Sequence, residues 1–171
     1  MQDGPDTTFT TSSRSRIIRY DLALGLPDAE FVYLVAPRTI DSTPPGGAGS
    51  RGLCEMLAID DQFLLSLERE YAAGTTSGEG TRPVRLHEIK LDGKNVLRRR
   101  VLDGSERPVS KRLLLDFDDL RVNGTLTRVG SFEALAWGPS LPDDRRILLV
   151  MEDNDFERPA QILAFAVELR R

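Results

Sequence analysis

The hydrophobic positions fall in short runs of β-forming residues separated by turn chemistry, and no long stretch carries a 3.6-residue period. This pattern predicts strands over 16–20, 29–35, 53–59, 63–69, 84–91, 96–102, 111–115, 132–137, 145–151 and 161–169. Turn formers separate them, as in Thr43-Pro44-Pro45-Gly46-Gly47, Asp92-Gly93-Lys94-Asn95 and Gly138-Pro139-Ser140-Leu141-Pro142-Asp143-Asp144. The clearest hairpin joins 53–59 to 63–69 through Asp60-Asp61-Gln62. Phe31, Tyr33 and Val35 alternate with Val32 and Leu34, so both faces of that strand need cover. A sheet between two others supplies it, as in a sandwich interior or the stacked blades of a propeller. In 84–91 the apolar face switches between Leu86 and Ile89, which predicts a β-bulge near His87 and Glu88. Residues 116–122 have room for one short helical turn, and residues 1–15 read as a disordered polar tail.

Composition narrows the function. A chain of 171 residues fits one domain, and 23 Lys and Arg against 27 Asp and Glu give a net charge of −4. No basic surface is forced, so nucleic acid is not expected as a partner. A single cysteine, Cys54, excludes an internal disulfide and any multi-cysteine metal site; in a strand it reads as a buried small hydrophobe. No apolar run approaches the ~20 residues of a membrane span. The first residues lack the basic start and apolar stretch of a signal peptide, so the chain as written is expected in the cytoplasm unless its true beginning lies upstream.

The candidate chemistry is acidic. Strand alternation places Glu55 with Leu53, Leu57 and Ile59, and Glu133 with Leu135 and Trp137. Carboxylates in such company must meet an arginine, a lysine, a metal ion or backbone donors, either to fix strand register or to serve a function. Glu68 and Arg69 point to opposite faces, so pleat alone cannot bring both to one pocket. Lys111 opens a strand and can reach a strand-end site. Glu152-Asp153-Asn154-Asp155 crowds oxygen ligands after a strand without the spacing of an EF-hand, and a solvated turn explains it equally. Asp116, Asp118 and Asp119 form a second acidic group in which Asp119 can cap a helical turn. His87 is the one imidazole. No Gly-x-Ser-x-Gly elbow, phosphate loop or histidine pair is present.

Five segments in order carry a family resemblance. Gly52-Leu53-Cys54-Glu55-Met56-Leu57-Ala58-Ile59-Asp60-Asp61 with Phe63-Leu64-Leu65-Ser66-Leu67-Glu68-Arg69 is the first, and Lys111-Arg112-Leu113-Leu114-Leu115-Asp116-Phe117-Asp118-Asp119-Leu120 the second. Phe132-Glu133-Ala134-Leu135-Ala136-Trp137-Gly138-Pro139 with Leu141-Pro142-Asp143-Asp144-Arg145-Arg146 follows, then 149–156, then Gln161-Ile162-Leu163-Ala164-Phe165. Over 20–169 the chain resembles the phytase-like proteins described as having esterase-like activity. Ser131 and Ala134 stand where the family pattern has Asn and Gly. The resemblance implies an all-β, propeller-like domain, usually exported, hydrolysing phosphoesters or esters. This chain would supply the C-terminal part of that domain, about two to three blades at four strands per blade, with unpaired edges. Glu55, Glu133, Asp153 and Asn154 would hold a divalent cation, calcium, with Glu55 and Glu133 also serving catalysis. Arg69 and Lys111 would neutralise a small anionic substrate. The alternative is a non-catalytic β-structured module that needs a partner chain or pairs with a second copy of itself.

Overall fold

A computed structural model describes residues 6–74, 83–153 and 159–169. Its strands are β1 (Ser13–Asp21), β2 (Leu26–Val35), β3 (Gly49–Ala58), β4 (Phe63–Ala72), β5 (Val84–Lys90), β6 (Ser110–Asp116), β7 (Ser131–Ser140), β8 (Arg146–Asp153) and β9 (Ile162–Val167), with one helix, α1 (Phe117–Val122). They form three antiparallel sheets in chain order: β1-β2, β3-β4-β5-β6 and β7-β8-β9. The architecture is all-β and partial propeller-like, one four-stranded blade with an incomplete sheet on each side.

The middle sheet is covered on both faces. Toward the third sheet, Leu65, Leu67, Val84 and Leu86 pack with Phe117, Phe132, Leu135, Leu148 and Val150. Toward the first sheet, Ile89 packs with Ile17, Phe31, Tyr33 and Val35. Burial of apolar area on both faces holds the three sheets together. A bond from Trp137 Nε1 to the Ala58 carbonyl oxygen (2.7 Å) adds a polar tie between the second and third sheets.

The hairpin at Asp60-Asp61-Gln62 forms as expected, because Asp60 accepts from the amides of Gln62 (2.7 Å) and Phe63 (2.8 Å). Elsewhere tertiary structure overrides the sequence pattern. Residues 96–102 are not a strand. Val96 is buried and donates its amide to the Glu30 carbonyl (2.8 Å), while Arg98 turns at φ 75, outside the strand region, and the Arg99 carbonyl accepts from the Arg16 guanidinium. The stretch clasps β2 instead of pairing as a strand. The bulge expected in β5 lies across from it: the register of β6 shifts at Leu114, opposite Leu86 and His87, while β5 runs regularly along β4. The apolar face of β5 switches because each of its faces enters a different core. Asp116, not Asp119, caps α1, accepting from the Asp118 amide (3.1 Å). Order also begins earlier than a tail over 1–15 allows: β1 opens at Ser13, and Thr7 is buried, bonded to the backbone of Arg51.

Phe117 is fully buried with its ring 5.2 Å from that of Phe132. Phe117→Ala is expected to destabilise the fold by about 3–5 kcal/mol, read as a lower urea midpoint at unchanged slope.

Candidate functional site

Strand β4 has two unlike faces. Leu65 and Leu67 feed the core, while Ser66, Glu68 and Glu70 point toward the first sheet and are equally buried. Glu68 gathers groups from three other strands. One carboxylate oxygen accepts from the Tyr33 hydroxyl of β2 (2.6 Å) and from Lys111 Nζ of β6; the other accepts from Arg51 Nε of β3 (2.7 Å). Tyr33 Oη lies 3.0 Å from Ser66 Oγ, and Lys111 Nζ also donates to the Leu34 carbonyl (2.8 Å) above the Tyr33 ring. His87 sits across the ladder from Ser66, buried, with no partner for Nδ1 among the described residues.

The electrostatics follow from this packing. Burial on its own would raise the Glu68 carboxyl, but Lys111 and Arg51 outweigh it and hold the group below its ordinary range. Burial, then the Glu68 charge, pushes the Tyr33 hydroxyl far up, so Tyr33 remains a protonated donor. Burial lowers the Lys111 ammonium against the pull of Glu68. Burial likewise pushes His87 down to about 4; Glu68 opposes this, while Lys111, Arg51 and Arg85 add to it.

A cavity of about 310 Å³ opens beside this cluster. Leu34, Ala36, Pro37, Pro108 and Val109 form apolar walls, and Ser12, Tyr33 and Lys111 are its polar members. An apolar chamber with few polar groups is the usual form of a small-molecule site.

The residues singled out in the sequence go to separate places. Lys111 lies in the Glu68 cluster. Arg69 points to the opposite face of β4 and pairs with Glu133 at 2.8 Å, both partly exposed. The register places Cys54 and Glu133 as extra residues of bulges in β3 and β7. Cys54 is free and exposed, not buried as its strand position suggested, because the bulge takes it out of the alternation. Crowding by surrounding protein pushes its thiol up, with Arg69 opposing. The same bulge turns Leu53 to the face opposite Glu55 and Leu57, correcting the expectation that all three share one face. Glu55 accepts a hydrogen bond from the Met56 amide (2.8 Å). Asp153 ends β8 opposite Ser131, and Asn154 lies outside the described residues. Calcium takes 6–8 oxygens, yet among the described residues no three His, Cys, Asp or Glu side chains gather around one centre. Glu55, Glu133 and Asp153 are thus not brought together around one centre.

Glu68, Tyr33, Arg51 and Ser66 were not legible as a site. The one available signal was the run of Ser66, Glu68 and Glu70 at alternate positions in a strand whose other face is leucine. That run marks a buried polar face, but not its partners.

A family model described as phytase-like, with esterase-like activity of phytase, matches residues 1–156. No curated protein matches the chain, and no solved structure does.

His87 supplies a pH test. Its folded pKa lies below its ordinary 6.5, so the unfolded chain takes up a proton that the folded chain refuses. Stability is therefore expected to fall as pH drops from about 6.5 toward about 4. In His87→Leu this segment of the curve should flatten in urea melts recorded across that range, leaving the loss at lower pH that comes from protonating Glu68.

Proposed function

This chain belongs to the phytase-like family, and on that premise we propose that it acts as a hydrolase of carboxylic esters bound in the cavity beside Lys111. The observation that carries the reading is the character of that cavity, apolar walls with a single ammonium. A polyphosphorylated substrate calls for several converging cations. Among the described residues no arginine lines the chamber, and Lys111 is its one cation. An ester with an apolar acyl group fits better. An ammonium has three donors. Two are spent on Leu34 and Glu68, leaving one for the substrate carbonyl, where it would stabilise the negative charge that develops during acyl transfer. Glu68 holds the ammonium in place, and Tyr33 in turn fixes Glu68.

A second reading is the interaction module. The β1–β2 hairpin exposes Tyr20, Leu22, Leu24 and Leu26, with Leu22 93% exposed, an apolar tip of the kind that marks a docking surface. In that reading the hairpin pairs with another chain or a second copy, and light scattering would detect a dimer that Leu22→Asp disperses.

The hydrolase reading is tested with p-nitrophenyl butyrate and p-nitrophenyl phosphate. Turnover of the butyrate ester is expected. Lys111→Arg keeps the charge Glu68 needs but moves the donor, and should lower kcat/KM about tenfold or more without unfolding the protein. Faster turnover of the phosphate ester, or an undiminished rate in Lys111→Arg, would overturn it.

A further inference from the structure

A second cavity, about 220 Å³, lies between β1 and β3. Its lining mixes polar Ser13, Ser15 and Arg51 with apolar Val35, Leu53 and Met56. Two buried groups in it have unspent donors. Ser13 is 3% exposed, and its Oγ has no hydrogen-bond partner among the described residues. Arg51 is 8% exposed; Nε is spent on Glu68 and Nη1 on the Pro37 carbonyl (3.2 Å), which leaves Nη2. A buried hydroxyl with nothing to donate to is costly unless a ligand or water completes it, and the free Arg51 Nη2 lines the same cavity.

The neighbouring charges decide what kind of ligand this is. Arg16 also borders the cavity, but its guanidinium donates to Glu30 (2.8 Å) and the Arg99 carbonyl, and strand alternation turns it to the other face of β1. Glu70 stands opposite Arg51 in the ladder, yet its oxygens accept from the amides of Thr39 and Ile40 and the Thr39 hydroxyl. Among the described residues, therefore, nothing answers Arg51 Nη2 and Ser13 Oγ together. Both are donors, Ser15 can add a third, and the rest of the lining includes Val35, Leu53 and Met56.

From this geometry we propose that the cavity binds a small organic acid, its carboxylate on Arg51 Nη2 and the Ser13 hydroxyl and its apolar body against Val35, Leu53 and Met56. A guanidinium nitrogen and a hydroxyl that line one cavity can each donate to an oxygen of one carboxylate. The chemical class is also that of the acid an ester hydrolase releases, but the site stands on its own residues and does not depend on hydrolysis.

The test is calorimetric titration of the full chain with butyrate and, separately, with inorganic phosphate. Butyrate is expected to bind, and phosphate, which gains nothing from the apolar lining, to bind more weakly. Ser13→Ala removes a hydroxyl that has no protein partner, so it should melt at or above the temperature of the parent while butyrate affinity falls about tenfold or more. Butyrate binding that persists in Ser13→Ala and vanishes in Lys111→Arg would assign the acid to the other cavity and overturn the proposal. Tighter binding of phosphate than butyrate would overturn it too, as would no binding of either, which would mean that the cavity holds only water. Loss of ester hydrolysis with this site intact would count against the proposed function alone.

Discussion

The charge on Glu68 constrains the rest of the structure. A carboxylate with no exposed surface in the central sheet can stay ionised only if nearby cations and donors replace the water it has lost. Arg51, Lys111 and Tyr33 do so from β3, β6 and β2, which fixes the register of the middle sheet and the seating of the first sheet on it. Such a cluster adds little net stability over an apolar core of the same volume. Its value lies in uniqueness: any slip of one strand by one residue would leave a charge buried alone.

The same rule recurs at the edges. Glu30 meets Arg16, Glu106 meets Arg99 and the amides of Asp103 and Gly104, and Glu152 meets Arg128 and Gln161. Glu106 and Glu152 pin a loop and a strand end where no regular ladder would hold them, while Glu30 ties β2 to its neighbour β1. The stretch after Val96 shows the effect: polar anchoring, more than β-propensity, sets its path along β2. The result is a fold whose apolar faces provide cohesion and whose buried glutamates decide which conformation is kept.

Bulges decide the remaining functional geometry. The extra residues Cys54 and Glu133 belong to β3 and β7, and Arg69 of β4 pairs with Glu133 across the gap between the second and third sheets. Arg69 and Glu68 are chain neighbours that serve different sheets, as their alternation required. The two sides of β4 thus separate a partly exposed ion pair from a buried ionic cluster, and residues of that cluster line the two cavities described above.

Alternation and turn chemistry were enough to place nine strands, the Asp60 hairpin and a helical turn after residue 116, because these depend on residues close together in the chain; the likeness to a phytase-like family rested instead on five motifs in order. The same local rules erred at 96–102, at the cap of α1 and at Cys54, where a contact from another element or one extra residue in a ladder changed the outcome. The site was less legible still. Lys111 was noticed, but Glu68, Tyr33 and Arg51 are separated by dozens of positions and acquire a common purpose only when three sheets stack. Sequence by itself determined which faces are apolar and where the chain turns; tertiary structure alone decided which charges meet, since the energy of a buried ion depends on the groups within a few ångströms of it and not on its neighbours in sequence.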